Sequence, residues 1–202
     1  LYIKQGWINR NRILINSKAH FFTVPLRNVS SFSLINETEI DNKKYKHWKD
    51  KFFKTIELNY QKAPFFDQSY NILNSVFKVD MISISELAIR SCNTIVDYLS
   101  LKTILVETSS IYNNNALRGQ ERILDICKIE KAASYNNLPG GKELYSKEKF
   151  KQNDIDINFT KSNDIKYKQF NNEFVPWLSI IDVLMFNPKQ KIQEYLQEYE
   201  LI

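Results

Sequence analysis

The residues of this 202-residue chain with most chemistry to offer lie toward its two ends. The run at 178–186, Leu-Ser-Ile-Ile-Asp-Val-Leu-Met-Phe, is apolar except for Ser179 and Asp182. A carboxylate in a run that reads as a buried helix must be hydrogen-bonded, paired or put to use. Ser179 precedes it by three positions and so shares its helix face. Two readings follow: Asp182 and Ser179 form a catalytic pair, or both are structural, with Asp182 held by an arginine or by backbone amides and Ser179 capping the helix. Near the other end, Lys4, Trp7, Asn9, Arg10 and Arg12 crowd positions 4–12. Arginine forks hold phosphate or carboxylate and an indole face stacks on a ring, so this is a candidate binding segment for an anion or a sugar. Arg10 and Arg12 share a face if the segment is extended. The competing reading pairs one arginine with Asp182 or Glu173. A second polar, aromatic stretch at 167–174 carries Tyr167 and Gln169. The two stretches are expected to converge on one cleft, with Ser110 and Arg118 joining from a loop at a strand end.

Several classes of chemistry find no support. There is no Gly-x-Ser-x-Gly, no Cys–His pairing and no Walker loop. Cys92 and Cys127 do not combine with His20 and His47 into a zinc pattern, so neither metal nor cofactor is expected. The cysteines read as free buried thiols of a cytosolic protein. A net charge of +5 with scattered lysines points to no nucleic acid, whereas a small anionic substrate fits it. No apolar run reaches the roughly 18 residues of a membrane span, and the expected location is cytoplasmic. Hydrophobic content of 43% with 13% aromatics supports a real core. Length argues one domain over 1–202, with the helical section 42–100 as a candidate subdomain.

The elements that would position these residues can be read from periodicity. Short strands are predicted at 13–15 and 21–24, joined by the turn residues Asn16-Ser17-Lys18, and another at 35–40. Asp41 or Asn42 caps a helix to about Tyr60, with Tyr45, Trp48, Phe52, Ile56 and Tyr60 inward and its lysines solvated. A helix covers 65–78, and Ser83-Ile-Ser-Glu86 spells a capping box for the next. A continuous apolar strand is predicted at 103–106, a helix opened by Arg118, and strands at 134–136 and 155–159. Pro176 suits the first turn of the 178–186 helix. A last helix turns Ile192, Tyr195, Leu196 and Tyr199 inward. Helix–strand alternation over 83–160 predicts an α/β domain with a mainly parallel sheet flanked by helices.

Several segments together resemble the WbqC-like family of bacteria. They are Tyr2-Ile-Lys-Gln-Gly-Trp-Ile-Asn-Arg-Asn-Arg12, Lys62-Ala-Pro-Phe-Phe-Asp67, Arg118-Gly-Gln-Glu-Arg-Ile123, Ser134-Tyr-Asn with Gly140-Gly and Leu144-Tyr, and Tyr167-Lys-Gln-Phe continuing to Phe174-Val-Pro-Trp-Leu-Ser-Ile-Ile-Asp182. Family members usually begin with a further strand and a Gln-Pro segment, so the chain reads as a fragment with that N-terminal strand-loop segment missing. Ile8 stands where relatives often carry glutamine. The resemblance implies a transferase of O-antigen or other surface-polysaccharide biosynthesis, moving glycine or another acyl group to a sugar. Its partners would be a nucleotide-linked or phosphorylated sugar and an acyl or aminoacyl donor. The alternatives are a nucleotide-binding enzyme of nucleotidyltransferase type and a non-catalytic carbohydrate-binding protein.

Overall fold

Asn16 and Ser17 shape the first part of the chain. Both hold positive φ, 48° and 61°, which matches the twist of a two-residue type I′ hairpin turn. They join β1 (Arg10–Ile15) to β2 (Lys18–Thr23) as an antiparallel pair. The register sets Arg10 opposite Thr23 and Arg12 opposite Phe21, so the two arginines and Phe21 share a face. At the open end, Val24 N–H donates to the Asn9 carbonyl at 2.7 Å. The Asn9 amide returns a bond to the Val24 carbonyl at 3.0 Å, and its oxygen accepts from the Tyr2 hydroxyl.

The computed structural model describes residues 1–78, 82–171 and 173–202, a mixture of helices and strands that divides into two compact units. The first unit comprises Leu1–Ile104 and Lys166–Glu194. Its hairpin packs with α1 (Asn42–Tyr60), α2 (Phe66–Phe77), α3 (Ile84–Tyr98) and α6 (Ile180–Phe186) around Ile13, Phe52, Ile56, Leu73 and Met185. Asp41 caps α1 by accepting from Lys43 N–H, and of the predicted stripe Tyr45, Phe52, Ile56 and Tyr60 are buried and Trp48 half-buried. Most of the lysine face is solvated, but the Lys49 ammonium donates to the Phe77 carbonyl at 2.8 Å and closes the end of α2. The capping box on α3 forms in full. Two expectations change. Positions 35–40 hold a 3-10 turn, Ile35–Glu37, and an isolated bridge from Ile40 to Leu26 in place of a strand. Pro176 lies outside α6, because Trp177 at φ 60° leaves the helical path and Ser179 becomes the N-cap.

The second unit comprises Leu105–Ile165 and Tyr195–Ile202. It contains α4 (Gly119–Ile129), β3 (Ser134–Asn137), α5 (Lys147–Lys151), β4 (Asp156–Ser162) and β5 (Tyr199–Leu201). Leu124, Cys127, Phe150, Ile157 and Phe159 form its core. β3 runs parallel to β4, and β5 adds antiparallel on the other side. A mainly parallel sheet is therefore not what forms: the described strands make one two-stranded and one three-stranded sheet, with a single parallel pairing. The reason is local. Residues 103–106 join no ladder and lie exposed, Ile104 most of all, so an apolar run that reads as a covered strand supplies none. At the C-terminus, α7 (Lys189–Tyr195) stops short and Tyr199 pairs with Ser162 in a strand rather than turning inward from a helix. Cys127 is buried as expected, whereas Cys92 is exposed.

The turn offers a test. Serine is strained at the left-handed φ of position 17, and glycine is not. Ser17→Gly should raise unfolding free energy by about 0.5–1 kcal/mol, read from the urea midpoint. A lowered midpoint would contradict the turn assignment.

Candidate functional site

The site in the first unit is built backward from α6. Ser179 caps it, its hydroxyl accepting from Ile181 N–H at 3.3 Å. Asp182, in the first turn, is 0% exposed. Its carboxylate accepts from the Tyr60 hydroxyl at 2.8 Å on Oδ2, and from the Tyr167 hydroxyl and the Gln169 amide at 2.7 Å each on Oδ1. The expected arginine or backbone amides are not its partners; three neutral side-chain donors are. They suffice because each is itself fixed. Tyr60 accepts from Leu14 N–H at 2.7 Å. Gln169 is locked to Val175 by donating to its carbonyl at 3.1 Å and accepting from its N–H at 2.7 Å. Burial pushes the Asp182 carboxyl above the usual carboxylate range, against the three donors that pull it down. Burial likewise raises the Tyr60 phenol, and the charge of Asp182 raises it further.

In front of this network stands a cluster of arginines on aromatic faces. The Arg10 guanidinium carbon lies 4.6 Å from the Phe21 ring centroid and 5.9 Å from that of Trp7. Arg12 lies 5.4 Å from Trp7 and 6.0 Å from Phe21. One Nη of Arg10 donates to the Gln5 carbonyl, and one of Arg12 to the Trp177 carbonyl at 2.6 Å. Both acceptor residues hold positive φ, 62° at Gln5 and 60° at Trp177. That conformation is costly for a bulky side chain. Gly6 completes the turn: a Cβ there would sit 2.9 Å from the Ile3 carbonyl oxygen. The Nε groups of Arg10 and Arg12 are buried without a hydrogen-bond partner. Among the described residues neither arginine is within ion-pair distance of a carboxylate, so the pairing with Asp182 or Glu173 does not occur. Trp7, 58% exposed, and Trp177, 69% exposed, border the cluster.

The arginine segment meets the residues that lead into α6. Ser179 N–H donates to the Arg12 carbonyl at 2.8 Å, next to the Arg12–Trp177 bond. Tyr167 and Gln169 of the 167–174 stretch are engaged with Asp182. Asn9 is engaged in the hairpin, and Lys4 is exposed. Ser110 and Arg118 belong to the second unit. There Ser110 N–H donates to the Thr108 hydroxyl at 3.2 Å, and the Arg118 guanidinium donates to the Asn115 carbonyl at 2.6 Å. The organiser of that loop is Arg122, which reaches Asn114, Ser109 and Asn115 at 3.0 Å each and which sequence reasoning passed over. Phe21, Trp177 and Tyr60 were also missed. Phe21 follows from the hairpin register, whereas a tyrosine on a core stripe gives no sign that its hydroxyl is in use. Among the described residues no group of three or more His, Cys, Asp or Glu side chains is placed to hold a metal, and no helix is long and apolar enough to cross a membrane.

Removing Asp182 strands its buried donors. Asp182→Ala should cost about 3–5 kcal/mol, each orphaned donor contributing about 1–3, and Asp182→Asn about 1–2. An unchanged urea midpoint for the alanine variant would contradict the network. The carboxyl's raised folded value means that the folded state binds its proton more tightly than the unfolded chain. Its contribution to stability is therefore full below the ordinary 3.8 and is lost as pH rises through the folded value. The stability margin of the native protein over Asp182→Asn should shrink across that window; a margin that grows with pH would refute the dominance of burial.

No curated protein and no solved structure matches the chain. The profile described as the WbqC-like protein family matches residues 1–194, reaching from the arginine segment through the 167–186 stretch. The chain belongs to the WbqC-like protein family.

Proposed function

We propose that the cluster of Trp7, Arg10, Arg12 and Trp177 binds a phosphorylated or nucleotide-linked sugar, and that the protein is a cytoplasmic transferase of bacterial surface-polysaccharide assembly, moving an acyl or aminoacyl group such as glycine to that sugar. The observation that carries the anion-binding part is the pair of guanidiniums, stacked on aromatic rings, whose buried Nε groups no protein acceptor takes. A buried donor without a partner calls for one, and a phosphate oxygen is the acceptor that suits an arginine fork. The exposed Trp7 indole beside it suits a sugar or base ring. The sugar context and the acyl transfer rest on the family resemblance. Catalysis in this reading comes from positioning and proton transfer. Ser179 lines the cavity beside Arg10 and is the candidate to touch substrate. Asp182, sealed behind Tyr60, contributes by holding Leu14 and hence β1 in place. Lys4, exposed in the same unit, is a candidate for a further contact to the substrate.

Lysine keeps the charge of arginine and loses its fork. Arg10→Lys and Arg12→Lys should each weaken binding of a nucleotide-sugar by about 1–3 kcal/mol, the worth of a charged hydrogen bond, in a calorimetric panel of nucleotides, nucleotide-sugars, glycine and aminoacyl donors. Parental affinity in both variants, with circular dichroism unchanged, would overturn the anion site. Binding of the sugar without transfer from any donor would favour a non-catalytic carbohydrate-binding protein.

A further inference from the structure

The arginine cluster opens on a cavity of about 310 Å³ in the first unit. Its walls come from Leu73, Val76 and Phe77 of α2 and from Leu87, Ala88 and Ile95 of α3. Trp7, Arg10 and Ser179 also line it. Arg10 thus belongs both to the arginine pair and to the lining of an apolar space. A sugar or a bare nucleotide would leave such walls without a partner. Dispersion and burial favour hydrocarbon there, and the Arg10 guanidinium, whose Nε has no partner, favours an anion. At about 30 Å³ for each water-sized group, the space admits an aliphatic chain of about ten heavy atoms.

We infer that this cavity takes the aliphatic chain of an anionic amphiphile, a single-chain alkyl or acyl phosphate whose head rests on Arg10 with Arg12 beside it. The inference rests on the anion-binding reading of the arginines and adds the apolar half of the ligand. Charge complementarity selects this occupant over a neutral lipid: Arg10 has a buried Nε without a hydrogen-bond partner and no carboxylate within ion-pair distance among the described residues. Cys92 offers a reporter, because it lines the cavity yet is exposed, whereas Cys127 is buried in the second unit.

The test titrates the whole chain with ethyl, butyl, hexyl and octyl phosphate, with octanol as the uncharged control, each below its micelle concentration. Affinity should climb about threefold to fourfold per methylene, the worth of burying that group. Octyl phosphate should protect Cys92 from iodoacetamide, and ethyl phosphate should not. Ala88→Leu and Ser91→Leu, which fill the cavity, should flatten the series while leaving ethyl phosphate affinity unchanged; two variants guard against one that misfolds. Arg10→Lys should lower affinity across the phosphate series alike. If ethyl phosphate binds with Arg10 dependence but the series is flat, the chain-binding inference falls and the anion site stands. If no phosphate ester binds, both fall. If octanol binds as tightly as octyl phosphate, the cavity takes a neutral ligand and the assignment of the head to Arg10 is wrong. A dimer that masks Cys92 and that octyl phosphate does not dissociate would give the cavity to a second copy of the chain and overturn the inference.

Discussion

A carboxylate with no cation beside it lies at the centre of the first unit, and the surrounding structure exists in a form that tolerates it. Asp182 sits in an apolar helix and cannot reach water, so its oxygens must find donors inside. Three arrive from separate parts of the chain: Tyr60 from the last turn of α1, and Tyr167 and Gln169 from the loop before α6. Hydrogen bonds to a charged acceptor are short and strong, and an orphaned member of such a set is costly, so the three segments are held in one arrangement. Through Tyr60 the constraint extends to the backbone of Leu14, and thus to β1, two residues beyond Arg12. Ser179 adds a second tie, its N–H on the Arg12 carbonyl.

What this anchoring supports is a surface that is uneconomical for folding alone. Two guanidiniums share two aromatic rings with no carboxylate at ion-pair distance among the described residues. Cation–π contact returns about 0.5–1 kcal/mol at an exposed site, less than a buried donor without a partner forfeits. Gln5 and Trp177 hold left-handed backbone so that their carbonyls face the arginines. Strain of this kind persists where surrounding contacts over-determine it, here the bonds from Arg10 and Arg12 to the two carbonyls. The arrangement is rational if a ligand completes it.

Much of this was legible in the sequence. The α1 stripe, the Ser83 capping box and the Arg10–Arg12 pair on one face of an extended segment are local patterns, set by periodicity and cap chemistry, and they appear as read. The burial of Asp182 was legible as a problem, but its solution was not. Its donors come from residues 60, 167 and 169, and no local rule announces that a tyrosine on a hydrophobic stripe will spend its hydroxyl on a distant carboxylate. The 103–106 run misled for the opposite reason: its composition is that of a covered strand, and whether a neighbour covers it is decided elsewhere in the chain. Gln169 and Tyr167 read as binding residues because polar and aromatic types serve both a ligand and an internal network, and in the fold both bond Asp182.

The most direct test of the central claim observes the arginines themselves. Nitrogen-15 spectra of the Arg Nε–H groups, together with the Trp indole N–H groups, should be followed while a nucleoside diphosphate-sugar is titrated in. The Nε–H resonances of Arg10 and Arg12 should shift and become protected from exchange as their empty hydrogen-bond positions fill, with the Trp7 indole moving in step and Arg27, which already pairs with Glu39, unmoved. Saturable binding that leaves both Nε–H resonances where they began would contradict the account.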